Sequence, residues 1–219
     1  GNVTVSGDVG AGPEPAGFAI GEADQVDLEN VDLVGGDISV TGSNIDLNGT
    51  AYRAANSGAI TFDGPVDLDA GSGPVLVQTH GNTGDNITFG NVINDDTVGE
   101  TALTIDADPV NNGAAAVDLQ GEIGGGTAIG DFTVSGTPAQ VDLDSVTVDG
   151  ADVTVSATNI DLNGATYRAI GSGGISLTGV VDLDLGGGTV TLRTQGASGD
   201  DISIDGTVND DAAGDTALT

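Results

Sequence analysis

Carboxylates are the only reactive side chains this chain holds in number. Its 219 residues carry 34 acidic groups against Arg53, Arg168 and Arg193, with one histidine, no cysteine and a formal charge of −31. Several aspartates recur 115 residues apart: Asp67 and Asp69 with Asp182 and Asp184, and the turn Asn94-Asp95-Asp96 with Asn209-Asp210-Asp211. On an extended segment, residues two apart point the same way, and neighbouring segments stack at about 4.8 Å. Each stacked carboxylate pair would then repel by about 1 kcal/mol even in water. A hard cation with oxygen ligands relieves that repulsion, so Asp67, Asp69, Asp95, Asp96, Asp182, Asp184, Asp210 and Asp211 are candidate calcium ligands. The competing reading is a solvated acidic surface that keeps the chain soluble. The EF-hand pattern is not met, and neither GGGTAIGD (Gly124–Asp131) nor GGGTVTL (Gly186–Leu192) matches the glycine-rich calcium nonapeptide. No cofactor is required by these residues.

Tyr52-Arg53 and Tyr167-Arg168 are the recurrent aromatic and cationic pair. They suit either a sugar-stacking platform or an arginine-to-carboxylate contact with a neighbouring copy. The alternative is a loop anchor, in which Tyr covers the wall of the fold and Arg pairs with a nearby Asp. His80 has Gln195 as its counterpart and reads as a polar turn residue. Asn2, Asn48 and Asn86 open Asn-X-Thr triplets of the kind that accept glycans. Catalysis is not expected, because the acids are distributed and duplicated, whereas a glycoside-cleaving pair sits at one cleft. The charge also disfavours nucleic acid and anionic membranes as partners. No apolar run of membrane-spanning length is present.

The elements that must position these residues come from a repeat. Val26–Thr104 aligns without a gap on Val141–Thr219, and 40 of the 79 positions are identical, so one unit accounts for almost everything. Residues 1–115 are the first copy, and 116–219 the second, cut short at TALT, with no linker between them. The chain begins on Gly1, holds no methionine and stops inside a repeat, so it reads as a window from a longer polypeptide. Short runs such as Val26–Leu28, Ile45–Leu47 and Val66–Leu68 alternate apolar with acidic or small residues and close on Gly, Asn or Asp. Helical periodicity never persists over a dozen residues. The reading is all-β with essentially no helix. Two architectures fit: a β-solenoid of parallel strands at roughly 20 residues per coil, or tandem immunoglobulin-like sandwiches. Many short strands without large aromatic anchors favour the solenoid.

TNIDLNGATYRAIGSGGISLTGVVDLD and DFTVSGTPAQVDLDSVTVDGADVTVSATNIDLNG resemble the degenerate β-strand repeats of very large bacterial surface proteins of the filamentous-haemagglutinin type, and more loosely autotransporter passengers. The resemblance implies a right-handed parallel β-helix in an exported fibre, used for adhesion or surface construction. It places the chain outside the cell or on the bacterial surface, with further repeats of itself as partners. Its first implied role is a non-enzymatic structural segment. Its second is an adhesin for carbohydrate or a host protein, and a polysaccharide-active enzyme is a distant third.

Overall fold

The strands of the computed structural model form parallel sheets stacked through about eight turns, and no helix occurs among the described residues. The structure describes residues 1–10, 15–71, 73–80, 82–107, 115–186, 188–196, 198–210 and 216–219. Every strand pairing is parallel, so the solenoid reading holds and the antiparallel sandwich does not.

Each turn lays one short strand on each of three faces. The first face runs through Asn2–Val5, Gln25–Leu28, Ile45–Leu47, Val66–Leu68 and Ile93–Asp95, passes the bridging residue Ile123, and continues with Val146–Asp149, Thr166–Ile170 and Gly188–Thr194. The second begins at Val9 and includes Val31–Leu33, Ala51–Ala54, Val75–Thr79, Leu103–Asp106 and Phe132–Ser135. The third holds Phe18–Ala23, Ile38–Gly42, Ile60–Asp63, Ile87–Phe89, Ala116–Leu119 and Gln140–Leu143. Val153–Leu162 and Ile175–Leu183 each bend from the second face onto the third.

The alternation in sequence is the alternation in burial. Gln25–Leu28 buries Val26 and Leu28 and turns Gln25 and Asp27 outward, and Val75–Thr79 buries Val75, Val77 and Thr79. A parallel in-register neighbour sets like on like, as in Ile38, Ile60, Ile87, Val117, Val141, Ile160 and Val181 up the third face. Each fully buried Val, Leu or Ile contributes about 1.5–3 kcal/mol relative to exposure. Few large side chains are needed in so narrow an interior. Phe62 meets Tyr52 edge-on at 5.8 Å and Phe89 at 5.1 Å. The backbone is satisfied by the next turn, with Val26, Ile45 and Val66 N–H donating to the carbonyls of Asn44, Pro65 and Val92, all at 2.9 Å.

The 115-residue repeat is not a whole number of turns. Gln25–Leu28 lies on the first face, but its counterpart Gln140–Leu143 lies on the third. Ala51–Ala54 lies on the second face, and its counterpart Thr166–Ile170 on the first. Counting Ile123 as one, Gln140–Leu143 is the fourteenth strand position after Gln25–Leu28, and three positions make a turn. One repeat therefore advances four turns and two-thirds of a fifth. Turn length departs from an even 20 residues, running from 19 between Val26 and Ile45 to 30 between Ile93 and Ile123. The next turn, from Ile123 to Val146, includes the loop 124–128: Ile123 and Ile129 bridge Val146 and Val148, so the chain spends four extra residues on the first face there.

Two local expectations are corrected. Asn94-Asp95-Asp96 is not a turn, because Ile93–Asp95 is a strand with Asp95 pointing inward and 3% exposed. Ala51–Ala54, around the Tyr-Arg pair, is a strand as well, since its tyrosine and following alanine face the core.

Corners between faces bring consecutive turns close. Gly58 (φ 145°) and its counterpart Gly173 (φ 139°) sit where an added Cβ would lie 2.1 and 1.8 Å from the carbonyl oxygens of Gly36 and Ala151. No side chain fits there, and the conformation itself disfavours one. Gly58→Ala should lower stability by more than about 2 kcal/mol, read by urea denaturation. A variant as stable as the parent would show that the turns are not packed this closely.

Candidate functional site

Stacking converts the repeated sequence into ladders of like residues. Asp27, Asp46 and Asp67 rise in register on the first face, and Asp118, Asp142, Asp161 and Asp182 on the third. The three-rung ladder and the upper rungs of the four-rung one are the same sequence, carried to a different face by the fractional turn. Amides clamp the rungs. Gln25 donates to both Asp27 (3.3 Å) and Asp46, Asn44 donates to Asp46 (2.7 Å), and Gln140 donates to Asp142 (3.1 Å).

Proton affinity is raised at an inner rung of each ladder. Partial burial, then the Asp27 carboxyl and the charges around it, push Asp46 up to about 6. Asp161 rises to about 6 for the same first reason, with Asp142 and Asp184 adding to it against a hydrogen bond from Gln140. At the outer rung, hydrogen bonds from Thr4 and then Gln25 hold Asp27 below the ordinary carboxylate value. One rung thus keeps its charge while its neighbour takes a proton, as like charges at strand spacing require.

The other expected calcium ligands separate into different environments. Asp67 and Asp182 are ladder rungs. Asp69 is exposed at a strand end, raised by desolvation and then by Asp96 and Glu100. Asp95 accepts a hydrogen bond from Thr101 N–H at 2.7 Å, and Asp210 accepts one from Thr216 N–H at 3.1 Å, so these two carboxylates staple loops. Asp96 is exposed and Asp184 half-buried. Asp211 lies outside the described residues. Among the described residues, no group of three or more His, Cys, Asp or Glu side chains is disposed to hold a metal ion.

Both tyrosines are inside the wall. Tyr52 donates from its hydroxyl to Leu28 O (2.7 Å) and accepts from Gly49 N–H (3.0 Å), and Tyr167 repeats the arrangement with Leu143 O (2.8 Å) and Gly164 N–H (3.0 Å). Neither offers a ring face to a sugar. Arg53 and Arg168 project outward from the same strands, but their surroundings differ. Arg53 meets Asp32 at 3.7 Å, whereas Arg168 has Thr147 at that place and Arg193 in register on the next turn.

The sequence reading missed a set of corner latches. Asp37 accepts from Ala59 N–H (2.9 Å) and Asp152 from Gly174 N–H (2.7 Å); Asp85 accepts from Gly58 N–H (3.0 Å) and Asp200 from Gly173 N–H (3.1 Å). Each lies just ahead of a strand, in GDI, ADV, GDNI or GDDI, and ties its corner to a neighbouring turn. Acid immediately before a strand start, duplicated at 115 residues, was the available signal.

A folded value near 6 against 3.8 unfolded means that the native chain binds extra protons between those values. That stability is fully present below about 3.8 and is lost as the pH rises through about 6. The depressed value of Asp27 acts in the opposite sense and only below the ordinary carboxylate range, so the two windows do not overlap. Stability measured by urea denaturation should therefore increase as the pH is lowered from 7 to about 4.5, and the combined Asp46→Asn and Asp161→Asn variant should lose most of that slope. A parent curve that is flat or falling over this interval would contradict the ladder geometry. Set against protein-family models, curated proteins and solved structures, the chain gives no match, which leaves its own faces and ladders as the ground for reading its function.

Proposed function

We propose that this chain is a non-enzymatic structural segment of an extracellular fibre, one that supplies length, stiffness and repeated display. The observation that carries the reading is the fractional repeat. A unit that advances four and two-thirds turns sets each of its outward motifs on a new face every time it recurs. Three consecutive units would return a motif to its starting face after fourteen turns and present it all round the axis. That arrangement suits a scaffold approached from every side, whereas catalysis asks for a few groups converging once. The even distribution of carboxylates keeps such a rod hydrated and apart from nucleic acid and anionic membranes. Calcium bridging the exposed carboxylates is part of the same proposal, and a melting temperature unchanged by chelator would remove it.

Strand spacing sets the rise, so each added 115-residue unit should lengthen the particle by about 22 Å at constant cross-section. Small-angle scattering from chains of two, three and four units measures this directly. Increments near that value support the fibre. Increments of a compact domain's diameter, or a cross-section that grows with copy number, would sink it.

A further inference from the structure

The first face changes sign along its length. Its outward side chains include the rungs Asp27, Asp46 and Asp67 near one end and, several turns later, Arg168 and Arg193. The two arginines are in-register neighbours on adjacent strands, about 4.8 Å apart at the backbone. With Ile170, Thr194 and Gln195 they line a cavity of about 220 Å³. Neither makes an ion pair among the described residues; the Arg168 Nε is shielded from solvent without a hydrogen-bond partner, as the Arg53 Nε is in the first copy, so the ion pair is what separates the two.

The first copy shows what has changed. There Arg53 has Asp32 beside it, and Gln78, the next rung, donates to Asp106 at 2.6 Å. In the second copy the place of Asp32 is taken by Thr147 and that of Gln78 by Arg193. One exchange removes an acid and the other adds a cation. The result is a doubly cationic spot with no ion-pair partner among the described residues, on a chain of net charge −31.

Guanidinium groups pair with carboxylates through parallel hydrogen bonds. Two of them at strand spacing call for two carboxylates at the same spacing, and an aspartate ladder has that spacing because it is built on the same stacked strands. We propose that Arg168 and Arg193 dock an aspartate ladder of a second copy of this chain, either Asp27-Asp46-Asp67 or its counterpart Asp142-Asp161-Asp182. The contact joins molecules side to side and goes beyond the fibre reading, on which it does not depend. It also draws positive charge to the rungs where carboxylate repulsion is greatest.

Ionic strength gives the contact a signature. At 0.01 M salt the net charges repel across about 30 Å, at 0.15 M the reach shrinks to about 8 Å and leaves local pairing, and at 1 M the pairs themselves are screened. Sedimentation equilibrium of the full chain should therefore show association that peaks near 0.15 M salt. Arg193→Gln, at an exposed position, and the double variant with Arg168→Gln should weaken it by about tenfold, while Arg53→Gln, which removes an arginine already paired, should not. Asp46→Asn with Asp161→Asn should weaken it from the other side. A parent that stays monomeric at every salt concentration, or arginine variants that associate like the parent, would overturn the proposal. So would arginine-dependent binding of an oligogalacturonate by a chain that remains monomeric, since the site would then belong to an acidic sugar.

Discussion

A single turn of this protein cannot keep its own interior dry. Each strand turns only two or three small apolar side chains inward, and those become dry only because the turns above and below cover them. Stability is therefore a nearest-neighbour property, built from contacts between adjacent turns rather than from one central core. Register follows from the same constraint. A slip of one residue would send a whole strand's apolar set outward, so the glycine corners, the aspartate latches and the buried tyrosine hydroxyls all act to hold adjacent turns level. Each tyrosine hydroxyl adds a bond to a carbonyl that already accepts one from the backbone, Leu28 O from Asn48 N–H and Leu143 O from Asn163 N–H, and so reinforces a junction between turns.

Stacking like on like has an electrostatic consequence that the fractional repeat moderates. With a whole number of turns per unit, the rungs Asp27, Asp46 and Asp67 and their counterparts Asp142, Asp161 and Asp182 would share one face. The actual geometry moves the second set onto another face and leaves uncharged residues and the two arginines above the first. Within each ladder the remaining repulsion is met by amide clamps and, as the pH falls toward 6, by proton uptake at Asp46 and Asp161. The acidic surface is thus organised by the backbone spacing that also seals the core.

Much of the fold was legible because its cause is local. VDL at Val66–Leu68 and IDL at Ile45–Leu47 carry their burial pattern in three letters, and parallel stacking is the remaining way to cover strands so short. What could not be read was the phase of the repeat on the turns. That phase depends on how many residues each corner consumes, and corners between Ile93 and Ile123 use far more than those between Val26 and Ile45. Asp95 sits in Asn-Asp-Asp, which is turn-like in composition. Its inward direction and its bond to Thr101 arise from the strand phase, which composition does not carry. Tyr52 and Arg53 recur as a pair in sequence, but adjacent residues on a strand face opposite ways, so one is a core latch and the other a surface charge.

The most direct test of this account asks where the second copy joins the first. With a one-residue adjustment that sets Val3–Gly10 over Val117–Gly124, Asp118 is the counterpart of Thr4; it stacks in register on Thr88 of the third face, whereas Asn94 occupies the first face that Thr4 itself belongs to. The natural chain has no cysteine, so pairs can be introduced cleanly and oxidised, and in-register neighbours lie within disulfide reach. Thr88→Cys with Asp118→Cys should cross-link readily in the folded protein, and Asn94→Cys with Asp118→Cys should not. The opposite pattern would mean that the repeat closes on whole turns, and cross-linking of neither would mean that the strands are not stacked in this register.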